Sequence, residues 1–214
     1  MSGASLARRL RLIVITDRAL AHPRSVEEVV TLALEAGAPA IQLREKEWGA
    51  GRTLPRAVAL RRLCEEHGAL FFVNDRLDLA LAAGAHGVHL GPDDLPVRAV
   101  RRVAPEGFLL GYSTDDPDEA RRAVEEGADY IGCGTVWPTG SKADAGEAIG
   151  PEGLTRVARA VEVPVVGIGG ITPERTRLLD GTGAAGVAVM GAVMGATDPG
   201  TAVRELLEGF GSGP

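Results

Sequence analysis

The sequence predicts an α/β fold, a single (β/α)8 TIM barrel spanning one domain over residues 1–214. Three observations carry that prediction. Short apolar runs recur along the chain, each broken by polar or glycine-rich residues and followed by a helical pattern. Leu70 to Leu95 reads as strand, short helix, strand, and buried strands joined by helical crossovers must lie parallel. Finally, Glu-Ala-Gly-Ala at 35–38, Ala-Ala-Gly-Ala at 82–85, Glu-Glu-Gly-Ala at 125–128 and Gly-Thr-Gly-Ala at 181–184 form a weak repeat. Each ends a helix with a left-handed glycine and leads into strand two, four, six or eight. A doubly wound sheet is the rival, but it needs a switch point that this even spacing does not suggest.

The elements follow in order. Leu12 to Thr16 is the first strand, ending in Asp17-Arg18. Ser25 caps a helix from Val26 to Ala36, with Glu28 completing a capping box and Gly37 ending it. Ala40 to Leu43 is the second strand, and a helix from Thr53 to His67 places Leu60, Leu63 and Cys64 on one face. Leu70 to Val73 and Gly87 to Leu90 are strands three and four. Val97 to Val103 reads as a helix and Phe108 to Gly111 as strand five. Asp116-Pro117 gives the cap and first-turn proline of the next helix. Tyr130 to Cys133 is strand six, followed by a polar loop from Gly134 to Gly150, a length typical of binding loops. Pro151 opens a helix, Val165 to Gly170 is strand seven, and Thr172-Pro173 caps its helix. Val187 to Gly191 is strand eight and Pro199 to Leu207 the closing helix. The ends, 1–10 and 209–214, are expected to fray.

Composition narrows the function. A net charge of -6 offers no footprint for nucleic acid, although a local basic pocket stays compatible with it. No apolar run is long enough to span a bilayer, so no membrane partner is expected. The basic N-terminal segment leads straight toward a strand and does not read as a signal peptide. Cys64 and Cys133 lack zinc-site spacing, and two lone thiols favour a reducing cytoplasm. A homo-oligomer is compatible with the sequence, which does not determine the oligomeric state.

Barrels keep their chemistry at the carboxyl ends of the strands, and the polar residues there group by chemical type. Along strand two, period-two alternation sends Gln42, Arg44 and Lys46 the same way, Gln42 inside and the two cations toward the mouth. Arginine and lysine there suit phosphate oxygens, the alternative being a solvated strand end. Asp75 and Asp93 end neighbouring strands and could ligate Mg2+, with Asn74 donating to phosphate. Taken singly, Asp75 also reads as a helix cap and Asp93-Asp94 as a turn. His89 reads as a core histidine with satisfied nitrogens. His22, His67 and His86 take surface or connecting positions. Pro138 to Lys142 sets hydroxyls around a glycine before a lysine, a weak anion signal without the Walker frame. Gly169, Gly170, Met190 and Gly191 end strands seven and eight, where barrels often bind phosphate through backbone N–H groups. Tight strand-to-helix packing explains the same glycines.

Together these motifs resemble the thiamine-phosphate synthase family: QLREK at 42–46, VND at 73–75, GVHLGPDD at 87–94, GYS at 111–113, ADYIGCGTVWPTGSK at 128–142, VGIGGI at 166–171 and GVAVMGA at 186–192. The resemblance implies a barrel that couples an aminopyrimidine-methyl pyrophosphate to a thiazole phosphate with loss of pyrophosphate. Both partners are small molecules, and Mg2+ is the cofactor. It implies Asp75 and Asp93 as metal ligands and Arg44, Lys46, Asn74 and Lys142 as pyrophosphate contacts. Gln42 and Ser113 would orient the pyrimidine. Thr139 and Ser141 would meet the thiazole phosphate, with Gly169, Gly170, Met190 and Gly191. Arg44, Lys46, Ser113 and Lys142 are thereby the implied catalytic set, working on a dissociative reaction. Ser141 stands where threonine is usual. Thr114-Asp115 follows Ser113 where relatives often carry a histidine, and the related thiazole tautomerases, which this chain also resembles around VNDR and GVAVM, use such a histidine to move a proton. A tautomerase-like isomerase and a non-catalytic barrel binding a phosphorylated ligand are the alternatives.

Overall fold

The computed structural model describes residues 3–140 and 147–210. The chain opens with α1 (Gly3–Arg9), then β1 (Leu12–Ile15), α2 (Arg18–Ala21), α3 (Val26–Glu35) and β2 (Ala40–Leu43). Next come α4 (Ala50–Glu66), β3 (Leu70–Asn74), α5 (Leu77–Ala83), β4 (Gly87–Leu90), α6 (Val97–Arg101) and β5 (Leu109–Ser113). The remainder is α7 (Pro117–Glu125), β6 (Tyr130–Cys133), α8 (Gly150–Ala158), β7 (Val165–Ile168), α9 (Pro173–Thr176), β8 (Gly186–Val189), α10 (Gly191–Met194) and α11 (Pro199–Gly209). The strands pair in sequence order, and β8 returns to β1, closing a parallel barrel.

Closure explains the apolar runs. Each strand buries both faces, so successive residues divide between two cores. Ile13, Ala40, Leu70, Phe72, Leu109, Tyr130, Val166 and Ala188 fill the interior. Their chain neighbours Leu12, Ile41, Phe71, Leu110 and Val187 pack outward against the helices. Register sets the interior levels: Ile15, Gln42, Phe72 and Gly87 lie side by side, and Asn74, His89, Gly111 and Tyr130 form the level above.

Local signals end the elements as expected at most places. Ser25 and Glu28 form the reciprocal capping box of α3, and Asp116 accepts the Glu119 N–H at 2.7 Å ahead of Pro117. The four repeat glycines, Gly37, Gly84, Gly127 and Gly183, all have positive φ. That conformation lets the chain turn from helix into strand without a Cβ penalty.

Four differences have physical causes. Part of the end segments expected to fray lies outside the described residues, but residues 3–10 are packed: α1 lies against the barrel, and Leu6 and Leu10 join the interior core. The brief helix α2 sits after β1, capped by Asp17, which accepts from the N–H groups of Ala19 and Leu20. Strand β5 runs on to Ser113, because pairing with β6 continues past Gly111. Thr172 makes no side-chain cap; its hydroxyl donates to Glu174 at 2.6 Å, and α9 gives way to a 3-10 turn.

Candidate active site

A cavity of about 800 Å3 lies at the carboxyl ends of the strands. Arg44 and Lys46 reach it from the loop after β2, Asn74 and Asp75 from the end of β3, and Ser113 from the end of β5. Thr139 enters from the loop after β6. Gly169 and Gly170 follow β7, and Met190 and Gly191 follow β8. Parallel closure is what assembles them, since it brings every strand end to one rim.

Arg44, Lys46, Asp75, Asp93 and Asp94 bring charge to the cavity from the loops after β2, β3 and β4. Lys46 Nζ donates to Asp75 Oδ2 at 2.6 Å. None of the ion pairs formed among the described residues involves Arg44, so its guanidinium is available to an anion in the cavity. Asp75 holds a φ of 63°, which among the described residues no other non-glycine residue shares in sign. Its N–H still donates to the His89 carbonyl at 2.8 Å, continuing the β3–β4 pairing as the chain turns. Backbone strain of this kind is costly, and it persists where surrounding structure holds it, often at functional sites. Asp75 is not the helix cap that its position also suggested. Arg76 holds the cap position of α5 and makes no side-chain cap bond.

The carboxylate facing Asp75 is Asp94. The Gly91 N–H donates to Asp94 Oδ2 at 2.7 Å, folding that side chain back into the turn. Burial pushes the Asp94 carboxyl above its ordinary pKa, the Gly91 N–H opposes this, and the adjacent Asp75 raises it further. Asp93 also borders the cavity but is exposed at its rim. Asp93 and Asp75 both follow strands, which is why the sequence pairs them. The Gly91–Asp94 turn instead carries Asp93 outward and brings its neighbour in. Two carboxylates forced together, with lysine and arginine beside them, form a donor set that fits Mg2+. That ion takes few protein ligands and completes its shell with water and phosphate oxygens. Among the described residues no group of three or more His, Cys, Asp or Glu side chains could hold a metal.

Gln42 does not line the cavity. It is buried beneath the floor, and its side chain hydrogen-bonds Tyr130. His89 does line it, with both ring nitrogens engaged. Ser141 and Lys142 lie outside the described residues.

Gly169 and Gly170 have φ of 98° and 61°. A Cβ on Gly169 would stand 2.7 Å from Thr135 Cγ2, and one on Gly170 2.6 Å from the Trp137 carbonyl oxygen. These glycines therefore let the loop after β6 lie directly on the end of β7, whatever the cavity holds. That loop is also tied at its base: Val136 N donates to Ile168 O at 2.8 Å and Ile149 N to Thr135 O at 2.9 Å.

Arg175 and Glu119 escaped sequence reasoning. Arg175 borders the cavity, donates to the Gly170 carbonyl at 2.6 Å and sits 5.5 Å from the Trp137 ring. Glu119 accepts from Tyr112 at 2.8 Å and from Thr114 at 2.5 Å at the cavity edge. Both belong to helices, where a charged residue reads as solvated surface; no local signal marks them.

Residues 12–193 match the family model described as thiamine monophosphate synthase. A thiamine-phosphate synthase of Moorella thermoacetica is 47% identical over 196 residues, covering 92% of this chain and 93% of that protein. A thiamine biosynthesis bifunctional protein, ThiM/ThiE, of Symbiobacterium thermophilum is 50% identical over 203 residues. That match covers 95% of this chain, which spans only 41% of the length of the bifunctional protein. Among solved structures, the thiamine phosphate pyrophosphorylase from Pyrococcus furiosus superposes with a TM-score of 0.88 at 44% identity, covering 96% of this chain and 97% of that one.

Proposed function

The chain belongs to the thiamine monophosphate synthase family, and from that premise we propose how its cavity performs the reaction. The protein is a thiamine-phosphate synthase, a transferase of thiamine biosynthesis. It joins 4-amino-2-methyl-5-(diphosphomethyl)pyrimidine to thiazole phosphate, giving thiamine phosphate and pyrophosphate. The observation that carries this reading is the Asp75–Asp94 pair, facing inward beside Lys46 and Arg44.

The reaction is dissociative. The C–O bond to pyrophosphate breaks first, and the thiazole nitrogen then captures the pyrimidine-stabilised cation. Such a step needs charge on the leaving group more than it needs a nucleophile or base. Asp75 and Asp94 would hold Mg2+, which when bound neutralises the departing pyrophosphate. Arg44 offers a planar fork and Lys46 a compact charge to the same oxygens. Asn74, adjacent to Asp75, donates to them as well. Lys142, in the loop after β6, is assigned to the leaving group by the family resemblance. Ser113 orients the pyrimidine from the end of β5. Thr139, with the backbone at Gly169, Gly170, Met190 and Gly191, receives the thiazole phosphate, and the family resemblance assigns Ser141 to the same group. Thr114, tied to Glu119, follows Ser113 where the tautomerase branch uses a histidine to move a proton. That favours coupling over isomerisation.

The test is a direct assay. Purified protein is mixed with both substrates, with and without Mg2+, and thiamine phosphate is read after oxidation to fluorescent thiochrome. Product is expected only with the metal. Equal product in EDTA would remove the metal from the reaction, and no product under any metal condition would remove the coupling.

A further inference from the structure

A polar chain runs through the barrel interior beneath the cavity, and the coupling just described leaves its purpose open. Tyr130 is fully buried, does not border the cavity and packs edge-on to Phe72 with ring centres 5.4 Å apart. Its hydroxyl lies 2.9 Å from His89 Nδ1, and His89 Nε2 lies 2.7 Å from Ser113 Oγ. Only Ser113 and the edge of His89 reach the cavity.

The register shows how two side chains on non-adjacent strands can meet. His89, Gly111 and Tyr130 sit level on β4, β5 and β6. Neighbouring strands are about 4.8 Å apart, so the two residues touch only if nothing projects between them. A Cβ on Gly111 would stand 2.2 Å from Tyr130 Cζ and 2.4 Å from His89 Nδ1. Gly132, level with Ser113, clears the other side of the imidazole, where a Cβ would come within 2.9 Å of Cε1. Two glycines thus open an interior slot for one hydrogen-bonded histidine.

Proton bookkeeping gives the chain a direction. A phenol this deeply buried keeps its proton, because desolvation disfavours the phenolate. With the Gln42 amide donating to the Tyr130 oxygen, the single O–H goes to His89 Nδ1. An imidazole that accepts at Nδ1 carries its proton on Nε2 and donates to Ser113 Oγ. That leaves the serine proton for the cavity.

We infer that Tyr130 is a positioning residue which, through His89, makes Ser113 a hydrogen-bond donor, so that the cavity selects a heteroaromatic ring by an unprotonated ring nitrogen. The inference rests on the synthase reading for the identity of that ring, the aminopyrimidine.

Two measurements test it on the full chain. Nitrogen-15 NMR of labelled histidine at neutral pH, with the His89 signals assigned by a His89→Gln variant, reads the tautomer without any substrate. The Nε2–H form is expected, and the Nδ1–H form overturns the inference even if the protein proves not to be a synthase. Kinetics then read the consequence. Tyr130→Phe, which removes only the hydroxyl, should raise KM for the pyrimidine diphosphate about tenfold, the worth of one hydrogen bond. KM for thiazole phosphate should stay unchanged. In a Ser113→Ala background the same substitution should cost nothing further. Additive losses, or equal effects on both substrates, would mark a packing defect and overturn the inference. Should Tyr130→Phe not fold, the wild-type tautomer decides alone.

Discussion

Asp93 and Asp94 are chain neighbours of identical chemistry, and a single hydrogen bond separates their fates. The Gly91 N–H holds Asp94 in the turn, against Asp75, while Asp93 points to the rim. Asp94→Ala is therefore expected to lower turnover on the order of 10²-fold, the scale on which a single electrostatic contact to a developing charge counts. Asp93→Ala should leave the rate near wild type. Circular dichroism should report both proteins as folded. A rate collapse in Asp93→Ala with activity intact in Asp94→Ala would reverse the assignment of the carboxylate pair. At the same scale, the φ of 63° at Asp75 shows what this rim asks of its residues. An aspartate tolerates that conformation better than a β-branched residue would.

Three carboxylates at helix N-termini titrate with their hydrogen bonds. Glu28 in the capping box of α3, Glu174 at the start of α9 and Asp198 before α11 all have pKa values held below the ordinary carboxylate range. In each case the largest cause is a hydrogen bond: from the Ser25 backbone to Glu28, from the Thr172 side chain to Glu174, and from the Thr201 backbone to Asp198. A carboxyl whose folded pKa is depressed contributes stability that is present above its unfolded pKa. That stability is lost as the pH falls through the folded value. Thermal melts followed by circular dichroism should accordingly show Tm falling as pH drops from about 5 to about 3, across the ordinary carboxylate pKa range. Part of the slope should vanish in Ser25→Ala, which keeps the backbone bond to Glu28 but removes the second cause there, the bond from the Ser25 hydroxyl. A Tm that stays flat over that window would show the caps contribute nothing measurable. These groups are fully solvated, so the effect per cap is small.

A closed barrel has two ends, and this chain treats them differently. The carboxyl end opens into the reaction cavity, while α1 covers the opposite end, its Leu6 and the following Leu10 inserting into the interior core. Gly186 lies so close beneath it that a Cβ there would stand 2.0 Å from the Leu10 carbonyl oxygen. Leu10 is wholly buried, so Leu10→Ala is expected to cost about 2–5 kcal/mol in urea unfolding, the range for emptying a core leucine site. Loss of well under 1 kcal/mol, the scale of an ordinary surface substitution, would show that the helix is not part of the core. No helix among the described residues is long and apolar enough to cross a membrane.

Local chemistry determined most of the architecture. Apolar runs, the Ser25 and Asp116 caps and the repeat glycines at 37, 84, 127 and 183 each depend on residues within a few positions, so strand order and helix ends were legible before any coordinates. The same locality made Arg44, Lys46, Asn74 and Asp75 recognisable as strand-end residues around one cavity. Closure of the barrel decided the rest. It turned the basic N-terminal segment into a plug, because the core that buries Leu6 and Leu10 is built from strands far along the chain. It set His89 level with Tyr130 across Gly111, a contact between β4 and β6 that no local pattern encodes. It also selected Asp94 over Asp93, since which of two adjacent carboxylates faces Asp75 depends on the turn after β4 and on the neighbouring strand. Sequence periodicity tells which side of a strand a residue takes; only the closed sheet tells what stands across from it.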